Sequence, residues 1–337
     1  MCATESGDYL QLRRPPGVLE LWVSDKSTPE VVPVEFSAGH SMACWRSLDR
    51  IAVAVRTQTA GSTRVEFHRF DLRSGSWHEP TTLIGDRAES WTQANFDVAT
   101  SEGRSVLVWM ASPTTLRTTA WSEGEQVERE LPFALTGIAQ APSIAFDGVE
   151  TCLTFSSMVP PSGEGGTNRG VRHFCSESLT EPENSVWIET PEGWQVQDTE
   201  LLIRASGAHA LAIDLVHEHS LQARVDVHEI RNGRAVRLGS VARPKEVSSL
   251  VDLRLLEDGD RRLHILANGL SSGRFQTLFY SLGIGTKAPR FSPIGLSAES
   301  LSVGAVIGGR IRLVSLLWGL DSDGKVPEPG VYQLALM

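Results

Sequence analysis

The segment Asp214-Leu-Val-His217-Glu218-His219 is the densest group of chemically capable side chains in this 337-residue sequence. In an extended strand, residues two apart project to the same side, so His217 and His219 would share a face. Two imidazoles at that spacing could ligate a transition metal, with a carboxylate or His40 from elsewhere in the chain completing the set. Alternatively, His217 and Glu200 would form an acid–base pair, because an imidazole with an ordinary pKa exchanges protons readily near neutral pH. The candidate catalytic residues are therefore His217, Glu200 and His40. The candidate substrate contacts are Trp91, Gln93, Asn95, Gln140, Asp198, Asp252 and His219, with Trp91 as a stacking surface. No cofactor is expected, and the one metal reading is that at His217 and His219.

Other patterns carry less. Asp321-Ser-Asp323-Gly324 opens like a calcium loop, but Tyr332 stands where the twelfth-position Glu is needed. A plain Asp-Gly turn accounts for it, and for Asp258-Gly-Asp260. The cysteines are Cys2, Cys44, Cys152 and Cys175. They include no CxxC pair, so a structural zinc site is not expected. No basic and apolar secretory leader is visible at the N-terminus, so the cysteines read as reduced, with Cys152 and Cys175 as small core residues on strands that could be neighbours. His68, His173, His228 and His264 fall inside predicted strands and read as structural. The sequence has no GxSxG, GxxxxGK(S/T), HExxH or GxGxxG motif.

The elements that must carry these residues are strands. Apolar residues come in short alternating or continuous runs bounded by Gly, Ser, Asp, Asn and Pro. One run type recurs, beginning at Ile51, Ser105, Cys152, Ala210, Leu263 and Ile311, each after a polar or glycine turn. The starts lie 54, 47, 58, 53 and 48 residues apart. A small or apolar strand precedes each run, an amphipathic strand such as Arg64–Phe70 or Arg224–Ile230 follows it, and a final strand closes the unit. Four antiparallel strands per period of about 50 residues form the repeating unit of a β-propeller, in which inner strands read as continuous apolar runs and outer strands alternate.

Over nearly its whole length the chain resembles the β-propeller architecture, and Asp71-Leu-Arg-Ser-Gly-Ser-Trp77 is similar to the blade endings of kelch-like and sialidase-like propellers. The resemblance is to an architecture and not to a family. There is no repeated Ser-x-Asp-x-Gly-x-Thr-Trp box, no Trp-Asp dipeptide and no double-glycine series, so no catalytic residue is carried over. It implies an all-β, six-bladed propeller of four-stranded antiparallel blades, with seven blades as the runner-up. The chain would be one domain, 1–337, with blades at about 38–88, 89–136, 137–196, 197–244, 245–297 and 298–337. Strands in 17–37 would complete the last blade and close the ring, removing exposed sheet edges.

Composition narrows the partners. Thirty-one Lys and Arg against 41 Asp and Glu give a net charge of −10, which argues against nucleic acid or an anionic membrane surface as a partner. No apolar run approaches the roughly 20 residues of a membrane helix. The expectation is an intracellular, cytoplasmic bacterial enzyme that binds a small organic or sugar-like substrate at the channel mouth. It would use His and carboxylate acid–base chemistry of lyase, hydrolase, isomerase or cyclase type. The alternative is a propeller that binds a ligand or a protein partner without turnover.

Overall fold

The computed structural model describes residues 2–3, 9–13, 18–23, 26, 28–34, 42–47, 49–59, 62–87, 96–101, 104–112, 115–122, 125–130, 142–157, 169–176, 185–272, 274–282, 292–293, 299–318 and 330–335. Every strand pairing among them is antiparallel and none of them is helical. No helix is long and apolar enough to cross a membrane.

Among the described residues the strands pair in chain order into seven sheets. The first comprises β1 (Cys2–Ala3), β2 (Tyr9–Arg13), β3 (Val18–Trp22) and β4 (Glu30–Val31). The second comprises β5 (Met42–Ser47), β6 (Arg50–Thr59), β7 (Ser62–Asp71), β8 (Ser76–Trp77) and β9 (Thr81–Arg87), with β8 and β9 both on β7. The third comprises β10 (Phe96–Ser101), β11 (Arg104–Ser112), β12 (Thr115–Ser122) and β13 (Glu125–Glu130). The fourth comprises β14 (Ser143–Phe146), β15 (Thr151–Ser157), β16 (Gly170–Ser176) and β17 (Val186–Glu189). The fifth comprises β18 (Trp194–Ile203), β19 (His209–His217), β20 (Ala223–Arg231) and β21 (Arg234–Ala242). The sixth comprises β22 (Ser249–Glu257), β23 (Leu263–Ser271), β24 (Arg274–Ser281) and β25 (Ser292–Pro293). The seventh comprises β26 (Glu299–Ile307), β27 (Arg310–Trp318) and β28 (Gly330–Ala335).

One expectation is corrected here. Among the described residues the N-terminal strands do not pair with the last sheet. They pair with one another as β1-β2-β3-β4, and β26–β28 stands as a three-stranded sheet. The cause lies in residues 9–22, where Tyr9 faces Trp22 and Arg13 faces Val18 across a hairpin of their own. Local hairpin closure costs less chain entropy than pairing with strands some 300 residues away.

Asp side chains set the hairpins. Asp71 Oδ1 accepts from Arg73 N and Ser74 N at 2.9 and 2.8 Å, and Gly75 follows at φ +67°. Asp147 holds Val149 N and Glu150 N in the same way, and Asp258 holds Asp260 N and Arg262 N. These are Asx turns, so Asp258-Gly-Asp260 is the plain turn expected of it. Residues 321–324 lie outside the described residues.

The cores lie between consecutive sheets. Leu19, Leu21, Ile51, Val53 and Phe70 pack the first sheet on the second. Val106, Val108, Ile144, Phe155 and Phe174 pack the third on the fourth. Val171, Ile188, Leu211 and Ile213 pack the fourth on the fifth, and Val225, Val227, Leu253 and Ile265 the fifth on the sixth. The second strands β15, β19 and β23 are covered on both faces, β15 along its whole length, whereas the outer strand β21 is largely exposed. His68, on buried β7, bonds Glu66 at 3.2 Å, and His264 is held between Asp258 and Ser281, so both serve the sheets.

Cys152 and Cys175 also depart from expectation. They stand directly opposite each other on β15 and β16 and are joined by a disulfide. Facing positions on neighbouring antiparallel strands bring two Cβ atoms within bonding reach.

The tightest sheet contact gives a test. A Cβ on Gly170 would lie 2.5 Å from Trp187 Cζ2 and 2.6 Å from the Ile188 carbonyl oxygen. Gly170→Ala is expected to cost about 1–3 kcal/mol through overpacking, read as a lower urea midpoint with unchanged m-value.

Candidate functional site

The first strands of successive sheets lie next to one another. β5 lies beside β10, β10 beside β14, β14 beside β18, β18 beside β22, β22 beside β26, and β1 beside both β26 and β5.

Four carboxylates and one guanidinium on these strands form one electrostatic cluster. Asp97 is on β10, Asp198 and Glu200 on β18, and Asp252 and Arg254 on β22. Arg254 lies 3.2 Å from Asp252 Oδ1 through Nε and 3.5 Å from Glu200 Oε1 through Nη1. The Arg254 charge also acts on Asp97, although β14 and β18 separate β10 from β22.

Each carboxylate is held locally. Asp97 Oδ1 accepts from Val98 N at 2.8 Å, and its Oδ2 accepts from Ser143 Oγ and Ile144 N at 3.1 and 2.9 Å. Ser143 Oγ in turn accepts from Leu201 N at 2.9 Å, which stitches β10, β14 and β18 together. Asp198 Oδ1 accepts from Thr199 N at 2.9 Å. Asp198 and Asp252 both follow a break in register, between Val196 and Asp198 and between Leu250 and Asp252. A bulge adds a residue to one strand and re-aims the side chain beside it.

The electrostatics separate these groups. Burial, then the charges of Asp214 and Asp252, push Asp198 up to about 8. Burial also drives Glu200 well above the usual carboxylate range, against the pull of Arg254. Asp97 is raised by burial, again opposed by Arg254. Behind Asp198, across the β18–β19 pairing, stands Asp214. Burial pushes it to about 6 despite Arg243 at 3.4 Å, and its Oδ1 has no partner. Protonated acids beside a carboxylate–guanidinium pair can donate a proton to a bound ligand, hydrogen-bond its hydroxyls and receive the proton back. Carboxyl groups crowded in this way weaken a fold, so such clusters mark functional sites.

Of the predicted residues, Glu200, Asp198 and Asp252 are brought together. His217 is not with them. It pairs opposite Trp194, six positions along β18 from Glu200, or roughly 20 Å at a strand rise of about 3.3 Å. The His217–Glu200 acid–base pair is therefore not formed. His217 packs edge-on to Trp194 at 5.3 Å, and its Nδ1 accepts from His219 N at 3.2 Å. Glu218 between them is tied to Arg169 and Gln195. His40, Trp91, Gln93, Asn95 and Gln140 lie outside the described residues. Sequence reasoning missed Asp97, Arg254 and Ser143 as site residues. The available signal was a charged residue inside an otherwise apolar first strand, as in Phe96-Asp-Val98 and Val251-Asp-Leu-Arg254.

No protein-family model matches the chain, and no curated protein matches it. Solved structures do. SapL1 lectin in complex with alpha methyl fucoside aligns over 90% of this chain and 94% of its own, with TM-score 0.51 and 10% identity. A protein of unknown function from Dyadobacter fermentans aligns over 89% and 95%, with TM-score 0.50 and 9% identity. A mutant of AofleA from Arthrobotrys oligospora aligns over 88% and 87%, with TM-score 0.50 and 10% identity. At such identities the likeness concerns the fold, and the chain is a β-propeller of no assigned family.

Proposed function

We propose that residues 1–337 form one closed seven-bladed propeller whose central channel binds a small, hydroxyl-rich or otherwise polar organic substrate and transforms it by acid–base chemistry. Glu200 and Asp198 are the proton donors, Asp252 is the carboxylate acceptor, and Arg254 positions both sides and binds the substrate's developing negative charge. One observation carries this reading: Glu200 and Asp198, both raised by burial and Asp198 to about 8, lie with Asp252 around a single guanidinium, that of Arg254. An acid such as Asp198 that keeps its proton at neutral pH can serve as a proton donor without a cofactor. Ring closure is supported by β1 lying beside both β26 and β5.

The test is turnover. Purified protein is incubated with a metabolite extract and followed by untargeted mass spectrometry, with a panel of monosaccharides, methyl fucoside among them, as defined substrates and ligands. The expected result is a product that accumulates with the wild type and with His217→Ala. With Glu200→Gln it should fall by about 10²-fold or more, at unchanged melting temperature. Equal turnover by Glu200→Gln would remove the acid role. Binding that Arg254→Gln weakens, with no product from any form, would leave a binding propeller and refute the enzyme.

A further inference from the structure

A second cluster lies away from the channel, at the junction of the fourth and fifth sheets. Cys152 on β15 and His173 and Cys175 on β16 share one face, and His209, the first residue of β19, approaches from the next sheet. One ligand atom from each of the four lies within 4.8 Å of the other three. His173 Nε2 and His209 Nδ1 are 3.1 Å apart. Cys175 Sγ is 3.6 Å from His173 Nε2 and 3.5 Å from His209 Nδ1, and Cys152 Sγ is 4.0 Å from the latter.

The nitrogen–nitrogen edge and the edges from Cys175 to the two imidazoles are close to those of a tetrahedron. Each edge of a tetrahedron is about 1.6 times the centre-to-vertex distance. Zinc–sulfur bonds of about 2.3 Å and zinc–nitrogen bonds of about 2.0 Å therefore ask for edges of about 3.3–3.8 Å. The sulfur–sulfur edge, closed by the disulfide, must open, and the widest separation, which reaches 4.8 Å, must shorten by about 1 Å. The surroundings suit a metal as well. Thr154 Oγ1 lies 3.1 Å from His173 Nδ1, which fixes the ring and leaves Nε2 turned to the cluster. Ala145 and Leu201 shield the site, with Ile203 packed beside them.

We propose that, with its disulfide reduced, the chain binds one zinc ion through Cys152, His173, Cys175 and His209, and that this ion staples the fourth sheet to the fifth. A thiol reductant supplies two electrons and two protons and converts the disulfide to two thiols. Zinc then displaces both thiol protons to solvent and takes lone pairs from two neutral imidazoles. Two thiolates balance the Zn²⁺ charge, so the occupied site is neutral, as a largely buried site requires. The oxidised chain offers no thiolate, so occupancy follows the redox state. The site is separate from the channel, and its test does not depend on turnover.

The experiment uses the full chain, freed of metal and reduced with a phosphine, with cobalt(II) as the spectroscopic probe and zinc as competitor. The expected result is one cobalt per chain with the thiolate charge-transfer and intense d–d bands of a tetrahedral site. Zinc should bleach the bands and raise the melting temperature by a few degrees. The bands should be absent from the oxidised chain and from Cys152→Ser/Cys175→Ser, and should persist in His217→Ala/His219→Ala. Thr154→Val should weaken binding by about 10–100-fold. A reduced, folded chain without the bands would overturn the proposal, as would bands that survive loss of both cysteines. Unfolding on reduction alone would overturn it too, because the disulfide itself would then be the staple.

Discussion

At pH 8–9, Asp198→Asn should melt a few degrees above the wild type and show a flatter dependence of melting temperature on pH. The unfolded chain ionises this carboxyl at about 3.9, whereas burial and the charges of Asp214 and Asp252 hold it at about 8 in the fold. Between those values the folded protein keeps a proton that the unfolded chain has released. The contribution to stability is complete below about pH 4 and is lost as pH rises through about 8. Asparagine has nearly the same shape and carries no charge at any pH, so the loss disappears with it. Asp198 retains some contact with solvent, so we expect about 1–3 kcal/mol at pH 9, less than the full linkage value. Calorimetry of both proteins from pH 5 to 9 measures it. A variant that melts below the wild type at pH 9, with the same pH slope, would show that the ionised carboxylate is accommodated in the fold. The acid role proposed for Asp198 would fall with that result. If the variant instead gains stability and loses turnover, the crowding of these acids is retained for function.

The second large effect concerns the pair behind the site. Arg243→Met is expected to lower stability by about 3–5 kcal/mol, because it leaves a buried carboxylate uncompensated. The Asp214 and Arg243 side chains are 1% and 6% exposed, and Arg243 also donates to the Ser248 carbonyl at 3.0 Å, tying the fifth sheet to the start of the sixth. Asp214 stands at about 6 even with this partner, the effect of burial outweighing that of Arg243. Without it the carboxyl is raised further, and the fold must carry an unpaired charge or take up a proton. Replacing both residues, as in Asp214→Leu/Arg243→Met, should recover most of the loss, since well-packed apolar side chains carry no desolvation cost. Urea midpoints of the wild type, both single variants and the double variant form the cycle. A cost below about 1 kcal/mol for Arg243→Met would mean that water already reaches the pair.

The repeat was legible because it is local. The runs beginning at Ile51, Cys152, Ala210 and Leu263 became the second strands β6, β15, β19 and β23, buried from both sides. The turns at Asp71, Asp147 and Asp258 formed where short polar side chains could bond backbone N–H groups two to four residues ahead. The N-terminal segment misled the reading because Leu19–Val23 looks the same whether it pairs with its own neighbours or with the end of the chain. Its partner is chosen by hairpin closure at residues 9–22, which a count of apolar runs does not weigh.

The site was legible only in part, and the difference is geometric. Alternation could say that Asp198 and Glu200 share a face, and that His217 and His219 share another. It could not say that the β18–β19 register carries His217 to the far end of the sheet from Glu200. Nor could spacing assemble Asp97 with Arg254, 157 positions apart, or His209 with Cys152 and Cys175 from the preceding sheet. The amino-acid sequence by itself determined the strands, their turns and their burial, because each depends on a few consecutive residues and one hydrophobic period. The tertiary structure decided which acids crowd one guanidinium and which sulfurs meet which imidazoles. Those encounters depend on the angles and bulges between sheets, where no local pattern in the chain records the outcome.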